Sequence, residues 1–198
     1  MIPMRMMILA LAGMVTATHA WALEPALGAG AELEVRLDGD FDGDGAMDIA
    51  YVARGEESRT LHVTLATGGA ALLNLDPSPL GSATLNFTKG VLLVEDLTGG
   101  TSALATMRRY RFDKAGGQMR LIGLDATYYS RTQAHDGFVM SWNLYTGRLT
   151  TMVLRLNKKG GDEAYNRIDQ KIIRRPSGKV WLPDTPDPEE LMNEVGGR

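Results

Sequence analysis

Short runs of alternating apolar and polar residues recur along most of this chain, and they constrain its fold more than any other feature. Residues 31–37 place leucine and valine on one side and charged side chains on the other, which is the period of a β-strand with one buried face. Gly-Gly pairs at 68–69, 99–100, 116–117 and 160–161 separate such runs, as turns and loops do. The sequence predicts a mainly β fold, with antiparallel sheets in a propeller-like, barrel or sandwich arrangement.

The pattern of apolar, polar and turn residues predicts ten strands and one short helix. The predicted strands are 31–37, 49–53, 60–66, 70–75, 83–87, 91–94, 104–112, 119–124, 138–144 and 150–156. Residues 164–173 fit a helix or a strand. Residues 185–195 predict a short C-terminal helix, because a capping residue, an early proline and acidic residues precede a stop at Gly196. No internal repeat supports a complete propeller.

The first 22 residues have the pattern of a secretory signal peptide. Arg5 precedes an apolar stretch at 6–15, and Ala20-Trp21-Ala22 fits a cleavage site. The stretch is too short to span a bilayer, so we expect a periplasmic or secreted mature chain without a transmembrane segment. It would consist of one β-rich calcium-binding domain, 23–182, and an acidic segment with a short helix, 183–198.

The charge distribution and the cysteine content limit the classes of function that the chain can have. The chain has no cysteine, which excludes disulfides, thiol catalysis and the common zinc clusters. Residues 23–99 hold 13 acidic and 4 basic residues, whereas 100–182 hold 6 acidic and 15 basic ones. The basic half could face an anionic partner, or the two halves could complement each other within one fold.

One loop carries a metal-binding pattern. Four aspartates, Asp40, Asp42, Asp44 and Asp48, occupy positions 1, 3, 5 and 9 of a tight turn, with Gly45 at position 6. Alternating carboxylates around a glycine suit a hard cation that prefers oxygen ligands, and the four negative charges would repel one another without it. We predict calcium, held by these four side chains and by the carbonyl of Ala46, with Phe41 and Met47 pointing into the core.

The loop differs from an EF-hand and resembles another family. Position 12 of an EF-hand is a bidentate glutamate, but here it is Tyr51. The run Asp-x-Asp-x-Asp-Gly-x-x-Asp-Ile-Ala is similar to the calcium loop of FG-GAP/VCBS-type repeats, known from integrin-like propeller blades. The resemblance implies a calcium ion at the loop. The alternative is an Asp/Gly-rich turn without metal.

Two later hairpin motifs extend the resemblance over about residues 40–148. Leu121-Ile122-Gly123-Leu124-Asp125 and Asn143-Leu144-Tyr145-Thr146-Gly147 are similar to motifs of exported bacterial proteins that carry a single aspartate loop. Some of those proteins are periplasmic immunity proteins against lysozyme-like effectors. The resemblance implies an inhibitor or immunity protein for a cell-wall hydrolase as one possible function.

A polar segment in the second half supplies candidate partner-binding residues. Exposed aromatic residues beside arginine and histidine are typical of recognition surfaces, and here they are Tyr128, Tyr129, Arg131, His135 and Trp142. For Trp142 the competing interpretation is hairpin packing, and for the tyrosines it is cover for a sheet edge. We place His62 on a solvated strand face.

The sequence gives no support to catalysis or to nucleic-acid binding. It has no Gly-x-Ser-x-Gly, phosphate loop or His-Glu-x-x-His motif, although a hydrolase that uses aspartate and histidine, such as His135 with Asp136, stays open. An acidic exported chain is a poor nucleic-acid binder. We therefore expect a non-enzymatic, calcium-stabilised binding module whose partner is a protein or a cell-wall glycan.

Overall fold

The computed structural model describes residues 23–159 and 163–196, which form two antiparallel sheets and a short C-terminal helix. The proposed signal peptide and the Gly-Gly pair at 160–161 lie outside these residues. The elements are β1 (Glu32–Gly39), β2 (Asp48–Arg54), β3 (Arg59–Thr64), β4 (Ala70–Asn74), β5 (Thr84–Thr88), β6 (Val91–Gly99), β7 (Ser102–Asp113), β8 (Gln118–Ser130), β9 (Gly137–Asn143), β10 (Arg148–Leu156), β11 (Tyr165–Arg174), β12 (Val180–Trp181), a 3₁₀ turn (Leu182–Asp184) and α1 (Pro188–Gly196).

Within each sheet, strands that are adjacent in sequence pair with each other, except that β12 pairs with β8. The first sheet has the order β1-β2-β3-β4, and the second runs from β5 to β11 in sequence, with β12 added beside β8. All pairings are antiparallel, and the sheets do not close into a barrel. The mainly β prediction is confirmed, and the arrangement is sandwich-like.

One hydrophobic core lies between the sheets. Alternate residues of each strand enter it, for example Leu61 and Val63 from β3 and Leu92 and Val94 from β6, all at most 1% exposed. The acidic C-terminal segment joins the same core through Leu191 and Met192 of α1. This is the burial that a period of two in the sequence predicts.

Strand β2 is buried on both faces, which explains its uninterrupted apolar sequence. Its core face carries Ala50 and Val52. On the opposite face, the N-terminal segment covers Tyr51, whose hydroxyl accepts a hydrogen bond from Ala26 N at 3.0 Å and donates one to Ala26 O at 3.2 Å. His62 stacks on Tyr51 with 4.5 Å between ring centroids. The expectation that His62 is solvated is wrong: it is half-buried, and burial lowers its pKa.

The ambiguous segment 164–173 is a strand. It forms β11, and Ile172 and Ile173 are paired with β10. A register shift opposite Thr151/Val153 and the positive φ of 51° at Asp169 mark a bulge. The bulge interrupts the alternation of the strand, which explains why the sequence shows neither a clear helical period nor a clear strand period.

The C-terminal helix begins at Pro188, and its cap lies two residues after the predicted one, Thr185. Asp187 is the capping residue, since its Oδ1 accepts a hydrogen bond from Glu190 N at 2.9 Å. Thr185 instead donates to Leu182 O at 2.8 Å and closes the 3₁₀ turn. Among the described residues, no helix has the length and apolarity needed to cross a membrane.

Candidate metal centre

The aspartate loop connects β1 to β2, and its first aspartate organises it. The Asp40 carboxylate accepts hydrogen bonds from Gly43 N at 2.7 Å, from Asp44 N at 3.0 Å and from Gly45 N at 3.0 Å. Gly43 and Gly45 have φ values of 78° and 90°, a region that side chains disfavour. The glycines therefore let the backbone turn tightly around Asp40.

The last aspartate of the loop is fully buried at the start of β2. Asp48 is 0% exposed, and its two oxygens accept hydrogen bonds from Phe41 N at 2.6 Å and from Ala66 N at 2.8 Å. Burial raises the pKa of Asp48, and the charge of Asp42 adds to this, although the backbone amides of Ala66 and Phe41 act in the opposite direction. The surroundings thus disfavour the negative charge unless a cation balances it.

Three carboxylates converge on one point. Asp40, Asp42 and Asp48 each place an oxygen within 4.8 Å of the others. Calcium lies 2.3–2.6 Å from its oxygen ligands, so one ion between two ligands separates them by at most about 5 Å. Asp44 lies outside this group and accepts a hydrogen bond from Ala46 N at 2.7 Å. Asp44 and the Ala46 carbonyl remain predicted ligands.

No side-chain cation neutralises the cluster within the described part of the chain. None of the four loop aspartates forms an ion pair there. Lys114 reaches the edge of the loop, where its Nζ would lie 4.0 Å from a Cβ placed on Gly43, but it pairs with no loop carboxylate. An all-oxygen donor set with uncompensated charge fits calcium.

Of the two loop side chains that we expected to point into the core, only Phe41 does so. Phe41 is 3% exposed and contacts Phe87 edge to face at 5.0 Å between centroids. Met47 is 49% exposed, so the expectation that it enters the core is wrong. The β3–β4 turn also reaches the loop, where Thr67 donates to Asp42 at 3.2 Å, a contact that loop spacing alone does not reveal.

The predicted partner-binding residues do not form one surface. Tyr128 and Tyr129 lie within β8, not in a loop, and adjacent strand residues point to opposite faces. Tyr128 packs against the core and stacks on His135 at 5.1 Å, whereas Tyr129 lines a groove on the outer face. Arg131 is exposed on the β8–β9 connection.

Trp142 is part of the core, which corrects its assignment to a partner-binding surface. The side chain is 5% exposed, and its Nε1 donates to Arg175 O at 3.0 Å. Its strand position explains this, because residues 140 and 142 of β9 both point inward. The packing interpretation of Trp142 therefore holds.

His135 contacts a serine, and not the carboxylate of Asp136. Its Nε2 lies 2.8 Å from Ser102 Oγ, and its Nδ1 lies 2.7 Å from the backbone oxygen of Asp136. The Asp136 carboxylate instead pairs with Arg155 at 3.1 Å and accepts from Leu156 N at 2.9 Å. A His135–Asp136 side-chain dyad is absent from the described structure.

A buried ionic triad joins the two sheets, and sequence reasoning did not find it. Arg59 of β3 binds both oxygens of Glu34 from β1 at 2.6 and 2.7 Å and both oxygens of Asp96 from β6 at 2.8 and 2.9 Å. The three side chains are 0–3% exposed. Since the partners lie 25 and 37 residues from Arg59, no local pattern reveals this contact.

The acidic and basic halves of the chain do not pair directly. Among the described residues, no ion pair joins 23–99 to 100–182. Part of the basic half faces solvent as like charges, because Arg148 of β10 lies directly opposite Arg174 of β11. Both are exposed, and like charges in such a pair are destabilising.

Comparisons with known proteins do not assign a family. No family model matches this sequence, and searches of curated proteins and of solved structures give no significant match.

Proposed function

We propose that the 40–48 loop binds one calcium ion and that this ion stabilises an exported, non-enzymatic binding module. The observation that carries the proposal is the convergence of the Asp40, Asp42 and Asp48 carboxylates within 4.8 Å. The ion would neutralise these side chains and link the end of β1 to the start of β2. The FG-GAP/VCBS-like spacing of the loop supports the same conclusion.

Calcium titration of the mature chain by isothermal calorimetry tests this proposal. We expect one site with a dissociation constant of about 10⁻⁴–10⁻³ M, the range of extracellular calcium modules. Asp48→Asn should abolish binding, because it removes the charge of the buried carboxylate. Asp44→Asn should weaken binding less, because Asp44 lies outside the converging group.

Two results would reject the calcium site. One is the absence of saturable heat with the wild-type chain. The other is equal binding by the wild-type chain and Asp48→Asn.

The partner that this module fits best is an acidic protein. Arg148, Arg174 and Ile172 lie on one face of β10 and β11, since residues two apart on a strand share a face. Ile172 is 60% exposed. Arginine beside an exposed apolar side chain is typical of protein interfaces, and an anionic partner would relieve the repulsion between the arginines. We call Arg148, Ile172 and Arg174 the basic face.

A protein is favoured over a cell-wall glycan for a specific reason. Trp142, the aromatic ring considered as a platform for sugar stacking, is buried, whereas the basic face offers arginine beside an exposed isoleucine, a combination typical of protein interfaces. A cell-wall hydrolase is one candidate within this class, as the resemblance to immunity proteins implies. A lysozyme-inhibition assay tests that candidate directly.

Affinity capture from periplasmic extract, followed by binding measurements with the purified partner, tests the basic face. Arg148→Glu/Arg174→Glu should weaken binding of the partner, and salt should weaken wild-type binding. Lys89→Glu/Arg111→Glu is the matched control, because it makes the same change in net charge at exposed positions outside β10 and β11. Equal loss in both double variants would contradict the assignment.

A further inference from the structure

A polar cavity of about 120 Å³ lies between the second sheet, β4 and the start of α1. Its interior is formed largely by side chains that are buried and polar. They come from β6 and β7 and include Thr98, Thr106 and Arg108, which are 5%, 8% and 6% exposed. The cavity is separate from the aspartate loop and from the basic face.

Arg108 is a buried cation that makes one side-chain hydrogen bond within the described residues. Within the described residues, its guanidinium donates to Thr106 Oγ1 at 3.0 Å and forms no ion pair. Its Nε is buried without a partner. A guanidinium has five N–H donors, and a buried charge without a counterion is costly.

The other buried arginine shows how this fold satisfies such a group. Arg59 binds two carboxylates with four hydrogen bonds of 2.6–2.9 Å. Asp96, the one buried acid that lines the cavity, is committed to Arg59 on both oxygens. Among the described residues, Arg108 forms an ion pair with neither Asp96 nor any other carboxylate that lines the cavity.

The mouth of the cavity has the opposite charge. Asp76, Asp187 and Glu189 line it and are exposed to solvent. A simple anion would meet this acidic rim before it reached Arg108, and a simple cation would meet Arg108 at the bottom. A molecule with a carboxylate at one end and an ammonium group at the other complements both.

We propose that this cavity binds a small α-amino-acid zwitterion, with its carboxylate on Arg108 and its ammonium group toward the acidic rim. The carboxylate would accept charge-assisted hydrogen bonds from the terminal nitrogens of the Arg108 guanidinium. The volume admits several waters, and hence a molecule of the size of glycine or alanine. Thr98 and Thr106 provide hydroxyls beside the carboxylate position.

Titration of the full mature chain with glycine, followed by amide NMR, tests the proposal. We expect saturable shifts at Thr98, Thr106 and Thr185, which line the cavity. Acetate and methylammonium, each with half of the charge pattern, should give much smaller shifts. Arg108→Gln should weaken glycine binding by at least about tenfold. Arg109→Gln is the matched control, because Arg109 lies on the opposite face and pairs with Asp125.

Three outcomes would overturn this inference. If wild-type protein gives no saturable shifts with glycine or alanine, the cavity holds water and Arg108 merely offsets the charge of Asp96. Equal shifts with acetate would indicate an anion site. Equal weakening in Arg109→Gln would place the effect outside the cavity. The wild-type titration decides the first two outcomes even if Arg108→Gln does not fold.

Discussion

Arg59 connects the two sheets through charges that are almost completely removed from solvent. A buried ion pair repays its desolvation only when geometry and hydrogen bonding are good. Here both carboxylates bind in bidentate fashion, and Glu34 also accepts a hydrogen bond from Ala83 N at 2.7 Å. The triad fixes β1, β3 and β6 in one relative position, because each partner comes from a different strand.

The pH dependence of stability should show a contribution from the ionised side chain of Glu34. Burial alone would raise its pKa, but hydrogen bonds from Arg59 and Ala83 and the charge of Arg59 outweigh burial and hold the pKa below 4.5. The folded state therefore prefers ionised Glu34. Its contribution to stability is present above pH 4.5 and is lost as the pH falls below this value through the lowered pKa.

Urea unfolding at a series of pH values from neutral to acid measures this effect. The free energy of unfolding should decrease below about pH 4.5, and Glu34→Gln should reduce the slope in that range. Identical slopes for wild type and variant would show that Glu34 does not contribute to the acid sensitivity.

At the scale of single elements, local chemistry determines the turns. In the β9–β10 hairpin, Thr146 N donates to Asn143 Oδ1 at 3.0 Å, and Gly147 has a φ of 68°. The sequence predicts this turn, because asparagine and glycine have these roles in turns. The same reasoning identifies the aspartate loop and most strands, whose period of two is a local property.

Gly147→Ala should destabilise the protein by about 1–2 kcal/mol or more, since a left-handed backbone is costly for alanine. The added Cβ would also lie 2.9 Å from Cα of Pro176. Gly100→Ala is the control, because its Cβ would meet no atom within 4 Å. Chemical denaturation of both variants measures the difference, and equal stabilities would contradict the turn geometry.

Other features of the elements depend on contacts that sequence spacing cannot supply. Tyr128 and Tyr129 occupy opposite faces because β8 extends to Ser130, six residues beyond its predicted end. The bulge at Asp169 obscures the strand pattern of β11. Trp142 lies on the inward face of β9, where Arg175, which follows β11, covers its ring. Each outcome is decided by pairing partners that are distant in sequence.

At the scale of the whole molecule, the fold decides whether the acidic and basic halves of the chain pair with each other. The sequence leaves open whether the acidic and basic halves compensate each other. In the described structure, the cross-sheet contact is made by Arg59 and Asp96, which both belong to the acidic half. The basic half keeps exposed like charges at Arg148 and Arg174, so the asymmetry stays available for a partner.

The central claim is that a divalent cation balances the loop carboxylates and thereby stabilises the sandwich. Binding to the folded state alone raises stability by mass action. Thermal unfolding of the mature chain in calcium and in EDTA tests this most directly, with Asp48→Asn as the control. We expect calcium to raise the midpoint of the wild-type chain, EDTA to reverse the rise, and neither to affect the variant. Equal wild-type midpoints in calcium and EDTA would contradict the account.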